Sequence, residues 1–294
     1  MIDPIAVQIG PVQIHWYGII IASAILLAAL LGTRVARWLR EDPDHGWSML
    51  LLVVALAVVG ARIYHVVHEW DRIYSRDPLL IPQIWTGGIG IPGAIAGGAL
   101  AIFLYTRANS LNAARWMDIF APPLLLGQAI GRLGNFVNQE LYGPPTDLPW
   151  GIPIDAAHRI GPWMDLNAYP VQATRFHPLF AYEAILNLIG LAILLFVIRR
   201  FGARLFTGDI VLMYLIWYGA VRTVLETFRT ENWTIGGVPT AMWLGILAVL
   251  LSVAWFVIRH RRGRGTPLIR PETDSAAPAP STEATAPRAE APTG

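Results

Sequence analysis

The 294-residue sequence contains neither cysteine nor lysine, and only 14% of its residues are charged. The lack of cysteine excludes disulfides, thiolate metal ligands and a cysteine nucleophile of the protein's own. All 22 basic residues are therefore arginines, and a formal net charge of +2 gives no reason to expect nucleic acid as a partner. A soluble domain usually carries about a quarter charged residues. The shortage of charge, together with 54% hydrophobic residues, therefore indicates a polytopic membrane protein.

Long apolar runs supply the segments that such a protein needs, since about 20 apolar residues cross a bilayer. We predict an all-α membrane domain over residues 1–262 with about seven transmembrane helices. The first run has no basic segment before it and no small-residue cleavage site, so we expect a retained helix rather than a signal peptide. The predicted spans are residues 17–38, 47–67, 87–105, 117–137, 178–198, 208–228 and 239–258.

The positions of the arginines predict the orientation, because short cytoplasmic loops are enriched in basic residues. Arginines follow the first, third, fifth and seventh predicted spans, for example Arg34, Arg107 and Arg199. This pattern places the N-terminus outside and the C-terminus in the cytoplasm. Residues 138–177, rich in Pro, Gly and Trp, would then form a small extracytoplasmic cap. Residues 263–294, rich in Pro, Ala, Thr and Glu, are predicted to be a disordered cytoplasmic tail.

Two of the predicted spans contain residues that disfavour helices. Residues 87–100 of the third span read GGIGIPGAIAGGAL. Such a glycine-rich segment either lines a cavity or packs tightly against a neighbour, and both interpretations stay open. In the fourth span, Pro122 and Pro123 predict a helix that is interrupted or starts late.

The fourth predicted span ends in the polar stretch GRLGNFVNQELYG, residues 131–143. An arginine at the centre of a membrane helix costs about 2.5–3.5 kcal/mol on insertion scales. We therefore interpret the stretch as a hydrated polar pocket, although a small-residue packing seam with an outward-reaching arginine is an alternative. Side chains that share one helical face there are Gln128, Arg132, Asn135 and Gln139.

The sixth predicted span repeats this arrangement. An ion pair between Arg222 and Glu226 that holds the helix end at the interface is one explanation. A second is an anion site, because arginine keeps its charge and its planar fork matches phosphate. At that depth the obvious anion is a lipid phosphate. Polar side chains on one face of this span are Tyr218, Arg222, Glu226 and Arg229.

Other polar residues lie near the predicted outer ends of the spans. His15 and Tyr17 open the first span, where aromatic residues are often interfacial anchors. Arg62 lies near the outer end of the second span. Glu183, inside the fifth span, is either functional or a partner for an arginine. The histidines after Arg62 are only a faint metal-binding pattern, so we predict no metal site and no cofactor.

Five segments in this order resemble the prolipoprotein diacylglyceryl transferase family of bacterial inner-membrane enzymes. The resemblance covers roughly residues 10–260, and the segment in the fourth span is the family's signature. The segments are HWYG at 15–18, GAR at 60–62, GRLGNFVNQELYG at 131–143, HPLFAYE at 177–183 and YGAVRTVLETFR at 218–229.

The resemblance implies lipoprotein modification in the plasma membrane. The family transfers the diacylglyceryl group of phosphatidylglycerol to the lipobox cysteine of preprolipoproteins and releases glycerol phosphate, at a site open to the outer face and to the bilayer. We interpret Arg132, Arg222 and Tyr17 as catalytic. The residues interpreted as binding substrate are Arg132, Asn135, Gln139, Glu140, Gly143, Tyr218, Glu226, Arg229, His15 and Arg62.

One residue departs from the family pattern. Many members carry a histidine, considered a base, where this sequence has Pro92. Either the base is dispensable, or His15, Tyr17, Glu140 or water accepts the proton. An alternative function is a transporter or anion pathway that uses the same arginines. It would require openings on both membrane faces and paired broken helices, which the sequence does not suggest.

Overall fold

Seven long α-helices make up most of the computed structural model, which describes residues 5–10, 12–229, 234–263 and 265–269. Five of the seven, all except the fourth and sixth, are long and apolar enough to cross a membrane. The prediction of a mainly helical, multi-pass membrane protein is confirmed. The helices are α1 (Trp16–Trp38), α2 (Pro43–His68), α3 (Ile91–Ala108), α4 (Ala113–Val137), α5 (Leu179–Phe201), α6 (Asp209–Glu226) and α7 (Thr240–Arg262).

Each predicted span lies on one of these helices, and local sequence explains several of the ends. The Asp42 carboxylate accepts a hydrogen bond from the Asp44 backbone N–H at 2.9 Å, so Asp42 caps the start of α2. The Asn112 side chain caps α4 in the same way, by accepting from the backbone N–H of Arg115. Gly263 ends α7 with φ 58°, a left-handed conformation that glycine adopts without strain.

Two short antiparallel hairpins show that the all-α prediction was incomplete. The first pairs β1 (Ile5–Ile9) with β2 (Val12–His15), and the second pairs β3 (Thr234–Ile235) with β4 (Val238–Pro239). The first hairpin has a sequence signal, since Ile5, Val7 and Ile9 alternate with other residues as a strand requires. The signal lies directly before a strong helix and is only a few residues long.

The expectation that α4 is interrupted or starts late was wrong. The helix is continuous from Ala113 to Val137 and contains Pro122 and Pro123, both buried. A Cβ atom on Gly32 of α1 would lie 3.7 Å from the Pro123 ring, so the ring packs against a helix that leaves room for it. Membrane helices tolerate internal proline because neighbouring helices and local adjustments compensate for the lost hydrogen bond.

The glycine-rich third helix packs tightly against α2. A Cβ atom on Gly93 would lie 2.1 Å from the carbonyl oxygen of Gly60, and one on Gly97 would lie 2.0 Å from that of Leu56. No side chain fits at either position, so the two backbones touch. Pro92 occupies the first turn of α3, where a missing N–H leaves no hydrogen bond unmade. Of the two interpretations of this segment, tight packing is confirmed for Gly93 and Gly97.

A buried ionic network joins helix ends at the side of the bundle where α1 ends. Arg115 is 2% exposed and pairs with Glu41. Its guanidinium also donates to the carbonyls of Leu39 and Leu268, the second at 2.8 Å. Leu268 is fully buried, so residues 265–269 are packed and the folded chain extends past the predicted boundary at 262. The rest of the predicted tail lies outside the described residues.

Two buried carboxylates at the same end fix the start of α6. Asp118 accepts hydrogen bonds from the backbone N–H groups of Gly208 and Val211, at 2.5 and 2.9 Å. Asp209 is fully buried and lies 2.8 Å from the Nε2 atom of His260. Negative charge at a helix N-terminus is favourable because the first N–H groups point toward it. These contacts tie α4, α6 and α7 together.

Residues 138–177 fold into a compact loop with a small core of its own, formed by Tyr142, Ile154 and Phe176. Arg159 is buried beside this core, with its guanidinium 5.1 Å from the Phe176 ring. It donates to the carbonyl of Ile154 at 3.1 Å. The loop is therefore a packed unit, held in place at the end of α4 and the beginning of α5.

We predict that Gly93→Ala destabilises the protein whereas Gly98→Ala does not. The new methyl group at position 93 would overlap the α2 backbone, and overpacking of this kind costs about 1–3 kcal/mol. On the same helix, a methyl group on Gly98 would meet only the Val53 side chain, at 3.7 Å. Thermal unfolding of both variants in detergent is the measurement. Equal unfolding midpoints would contradict the close approach of α2 and α3.

Candidate active site

A cleft of about 890 Å³ lies between α1, α2 and α4. Ile25, Trp47 and Val54 line its wall although each is 39% exposed, so the cleft is open at the side of the bundle. Nearly all of its wall is apolar. Its far end is formed by Pro43, Gly46 and Trp116, and its polar end by Tyr17, Arg132, Asn135 and Glu140.

Arg132 is the centre of the polar end. Its Nη2 atom pairs with the Oε1 atom of Glu183 on α5, and its Nη1 atom donates to the Oδ1 atom of Asn135 at 3.0 Å. The Arg132 side chain is 24% exposed, whereas that of Glu183 is 7% exposed. The buried Nε–H of Arg132 donates to no acceptor among the described residues. The guanidinium is thus fixed on one edge and open to an anion on the other.

Asn135 and Glu140 extend this network across the end of α4. The Nδ2 atom of Asn135 donates to the Oε1 atom of Glu140 at 2.9 Å, and Asn138 donates to the same oxygen at 3.3 Å. Glu140 comes back over the helix end because Gln139 and Leu141 both adopt positive φ, 52° and 60°. The turn after α4 is therefore part of the site.

Gln139 does not face the cleft, although the helical spacing in the sequence predicted that it would. The α-helix ends at Val137, and the spacing no longer applies beyond that residue. Gln139 exchanges two hydrogen bonds with Asp155, both of 2.8 Å, and so anchors the loop of residues 138–177 to the site. On the helix proper, Gln128 lines the cleft and donates to the Tyr214 hydroxyl at 2.9 Å.

The predicted residues of α6 form a second charged group. Arg222 pairs with Glu226 at 2.8 Å, and Arg229 lies 3.9 Å from the same carboxylate oxygen. Glu226 is 4% exposed at its side chain, so this is a largely buried carboxylate between two cations. Tyr218 stacks on Tyr214, with ring centroids 5.9 Å apart.

Arg229 connects the two charged groups. It interacts electrostatically with Arg222 and Glu226 on one side and with Glu183 and Arg132 on the other. Burial, and next the neighbouring Arg222 guanidinium, lower the pKa of Arg229. Among the described residues, the cleft wall includes Arg132 but no side chain of α6. That both arginines bind one headgroup therefore stays a prediction.

Three further predicted residues have different environments. The Tyr17 ring lies against the backbone of Gly134, where an added Cβ would be 2.7 Å from the ring, and it lines the cleft. His15 precedes α1 as an exposed residue and makes no side-chain capping bond. Gly143 donates its backbone N–H to the carbonyl of His177 at 2.9 Å, and no side chain fits there. Only Tyr17 of these three touches the cleft.

Arg62 is buried and organises a loop rather than facing the cleft. It is 7% exposed, and its guanidinium donates only to backbone carbonyls in the printed contacts of residues 80–88. Its charge also lies 5.3 Å from the Tyr74 ring. The acceptors are the carbonyls of Leu80, Ile81, Gln83, Gly87 and Gly88.

Glu183 was recognised in the sequence only as functional or as a partner for an arginine, and it is the partner of Arg132. The signal was a single acid inside an apolar span, which predicts a partner but not its identity. The role of Gln139 as an anchor had no local signal, because its partner Asp155 lies 16 residues away in an irregular loop.

The sequence is similar to one family along almost its whole length. The model of the family described as prolipoprotein diacylglyceryl transferase matches residues 4–258. A phosphatidylglycerol–prolipoprotein diacylglyceryl transferase of Chloroflexus aggregans is 41% identical over 281 residues, which cover 90% of this chain and 92% of that protein. Proteins of the same name from Synechococcus elongatus and Streptococcus uberis are 40% and 35% identical. The first alignment covers 91% of both chains, and the second covers 91% of this chain and 98% of that protein.

We predict that Arg62→Ala and Arg62→Lys both loosen the loop of residues 80–88. A lysine has three donors on a point charge and cannot replace the guanidinium fork. Losing two net hydrogen bonds, about 2 kcal/mol, predicts at least about tenfold faster chymotrypsin cleavage after Trp85. Arg72→Ala is the matched control, because Arg72 makes only an exposed pair with Glu69. Cleavage as slow as in that control would contradict the organising role of Arg62.

Proposed function

Since this chain belongs to the prolipoprotein diacylglyceryl transferase family, we propose that it transfers the diacylglyceryl group of phosphatidylglycerol to the lipobox cysteine of preprolipoproteins. The chain is a transferase, and glycerol phosphate is its second product. The alternative of a transporter is not favoured, because the similar proteins carry the transferase name.

The observation that carries the proposal for the site is the position of Arg132. Its guanidinium lies at the one polar end of an otherwise apolar cleft that is open at the side. A phospholipid has the matching form, a single anionic group at the end of long apolar chains. The free Nε–H of Arg132 points to where a phosphate oxygen would bind.

The reaction itself explains why fixed positive charge is needed. The substrate thiol has a reference pKa of about 8.5 and is only slightly ionised at neutral pH. Its sulfur attacks the glycerol carbon that carries the phosphate ester, so that a C–S bond forms and the C–O bond breaks. The departing oxygen takes the bonding electrons as part of a phosphate monoester. Cations already in place stabilise this charge without reorganisation.

Arg132 and Arg222 have separate roles in this proposal. Arg132 binds the phosphate of phosphatidylglycerol, with Asn135 and Glu183 holding its guanidinium in position. Arg222 and Arg229, which share Glu226, approach from α6 and stabilise the departing phosphate. The electrostatic coupling of Arg229 to Arg132 and Glu183 supports a common field for both helices. Tyr17 contributes its ring and hydroxyl to the cleft wall beside Arg132.

The thiol proton is accepted by Glu140 in our proposal. Its Oε1 atom already accepts from Asn135 and Asn138, and these bonds leave Oε2 available at the polar end of the cleft. Pro92, which occupies the position of a histidine in many members, has no group that binds a proton. His15 lies outside the described cleft wall.

The orientation in the membrane follows the arginines. We place all seven helices across the bacterial inner membrane, with the N-terminus outside and the C-terminus in the cytoplasm. Residues 138–177 then form an outer cap above the site, anchored by the pair of Gln139 and Asp155. The polar end of the cleft faces the outer surface, where the lipobox cysteine of a signal peptide would arrive.

We predict that Arg132→Ala and Arg222→Ala each reduce transfer at least about a hundredfold, the effect of removing one stabilising group from a developing charge. Arg132→Lys is not expected to restore activity, because an ammonium lacks the planar fork. The assay follows labelled phosphatidylglycerol onto a lipobox peptide. Arg200→Ala, an exposed arginine on α5, is the matched control. Normal transfer by both alanine variants would overturn the mechanism.

We also predict that Glu140→Gln lowers kcat about a hundredfold, in the range that a general base contributes, with little change in the KM for phosphatidylglycerol. The amide oxygen of glutamine can still accept the bonds from Asn135 and Asn138, so the network is kept while the base is lost. Asn138→Ala removes one bond to Glu140 and is the control. An unchanged kcat would assign the proton to water or to the departing phosphate.

A further inference from the structure

The cleft is much longer than a headgroup requires. On α4 its wall runs from Trp116 to Asn135, which at 1.5 Å per residue is about 28 Å. The hydrocarbon core of a bilayer is about 30 Å thick. The cleft therefore extends through nearly the whole core, and most of its length lies away from the charged end.

The width of the cleft decides what can fill it. A volume of about 890 Å³ over about 28 Å gives a mean cross-section of about 32 Å². An α-helix with its side chains is about 10–12 Å across and needs a cross-section of about 80 Å² or more. A signal-peptide helix therefore does not fit unless α1 and α2 separate, whereas extended hydrocarbon chains do.

The distribution of charge points the same way. The ionic side chains in the described wall are Arg132 and Glu140, and both lie at the polar end. The far end, formed by Pro43, Gly46 and Trp116, has no acid that would pair with the basic segment of a signal peptide. A molecule with one anionic end and apolar chains complements the cleft along its whole length.

We infer that the cleft binds the acyl chains of the lipid donor, and that its depth selects their length. A saturated chain extended like a polypeptide backbone spans about 1.2 Å per bond, so sixteen carbons reach about 18 Å. On α1 this distance separates Tyr17, at the polar end, from Ala29, twelve residues further along. Ala29 is thus the wall residue that lies beside the end of a sixteen-carbon chain.

The inference rests on the proposed function for the identity of the donor, and Ala29→Phe tests it by transfer. The larger side chain closes the cleft near this depth, and each methylene that is excluded costs about fourfold in binding. The ratio of transfer from eighteen-carbon to twelve-carbon phosphatidylglycerol is expected to fall at least about tenfold. Leu30→Phe is the control, because Leu30 is 50% exposed and lies outside the described wall. Equal ratios in both variants would overturn the inference.

Photo-crosslinking of the unmodified full-length chain in vesicles tests the same cleft without catalysis. Phosphatidylglycerol with a diazirine at acyl carbon 4 is expected to label residues near Gly131, and with a diazirine at carbon 14 residues near Ala29 and Phe120. Labels confined to outward-facing residues such as Leu30 would overturn the inference. So would equal labelling by phosphatidylcholine, which would indicate bilayer lipid of any kind, or loss of the deep labels on adding a lipobox signal peptide, which would assign the cleft to the peptide.

The two experiments fail separately. If the unmodified chain transfers no label to the peptide, the proposed function is wrong. Deep labels specific for phosphatidylglycerol would then still establish an acyl-binding cleft. If transfer occurs but the deep labels are missing, the function stands and the acyl cleft is wrong.

Discussion

The ion pair between Arg132 and Glu183 is the contact on which the site depends. A permanent cation inside an apolar bundle is stable only if another group compensates its charge. Glu183, from a different helix, does so while leaving part of the guanidinium open to the cleft. The pair therefore joins α4 to α5 and keeps a positive charge ready beside an apolar chamber.

The buried arginines of this chain fall into two kinds, and the difference is chemical. Arg62, Arg115 and Arg159 direct donors to backbone carbonyls, which belong to loops and helix ends that cannot move without local unfolding. Arg132 and Arg222 pair with carboxylate side chains instead. A phosphate can compete with a carboxylate for a guanidinium, because both anions offer oxygens to the same fork. This distinction separates arginines that hold the fold from arginines that can bind a substrate.

The rest of the fold fixes the walls around that pair. Tight contact between α2 and α3, made possible by Gly60 and Gly93, keeps one wall rigid. The left-handed turn at Gln139 and Leu141 returns the chain so that Glu140 reaches Asn135. The same turn lets Gln139 hold the loop of residues 138–177. Packing and polar positioning are thus produced by a few backbone features near the end of α4.

The sequence by itself determined the elements of the protein. Apolar runs predicted each long helix, because burial in a bilayer needs length and hydrophobicity that are read directly from composition. Helical spacing placed Arg132 with Asn135, and Arg222 with Glu226, because residues three or four apart on a helix are neighbours. The continuous α4 and the first hairpin were missed, since the effect of a proline or a short strand depends on what packs beside it.

Only the tertiary structure decided which predicted polar residues meet. Arg62 and Arg132 are both intramembrane arginines in the sequence, yet one binds a loop and the other faces the cleft. Gln139 left the face of α4 because the helix ended two residues before it. The reason is that contacts between distant segments depend on where helices end and how closely they approach. A periodic pattern within one segment carries no information on either.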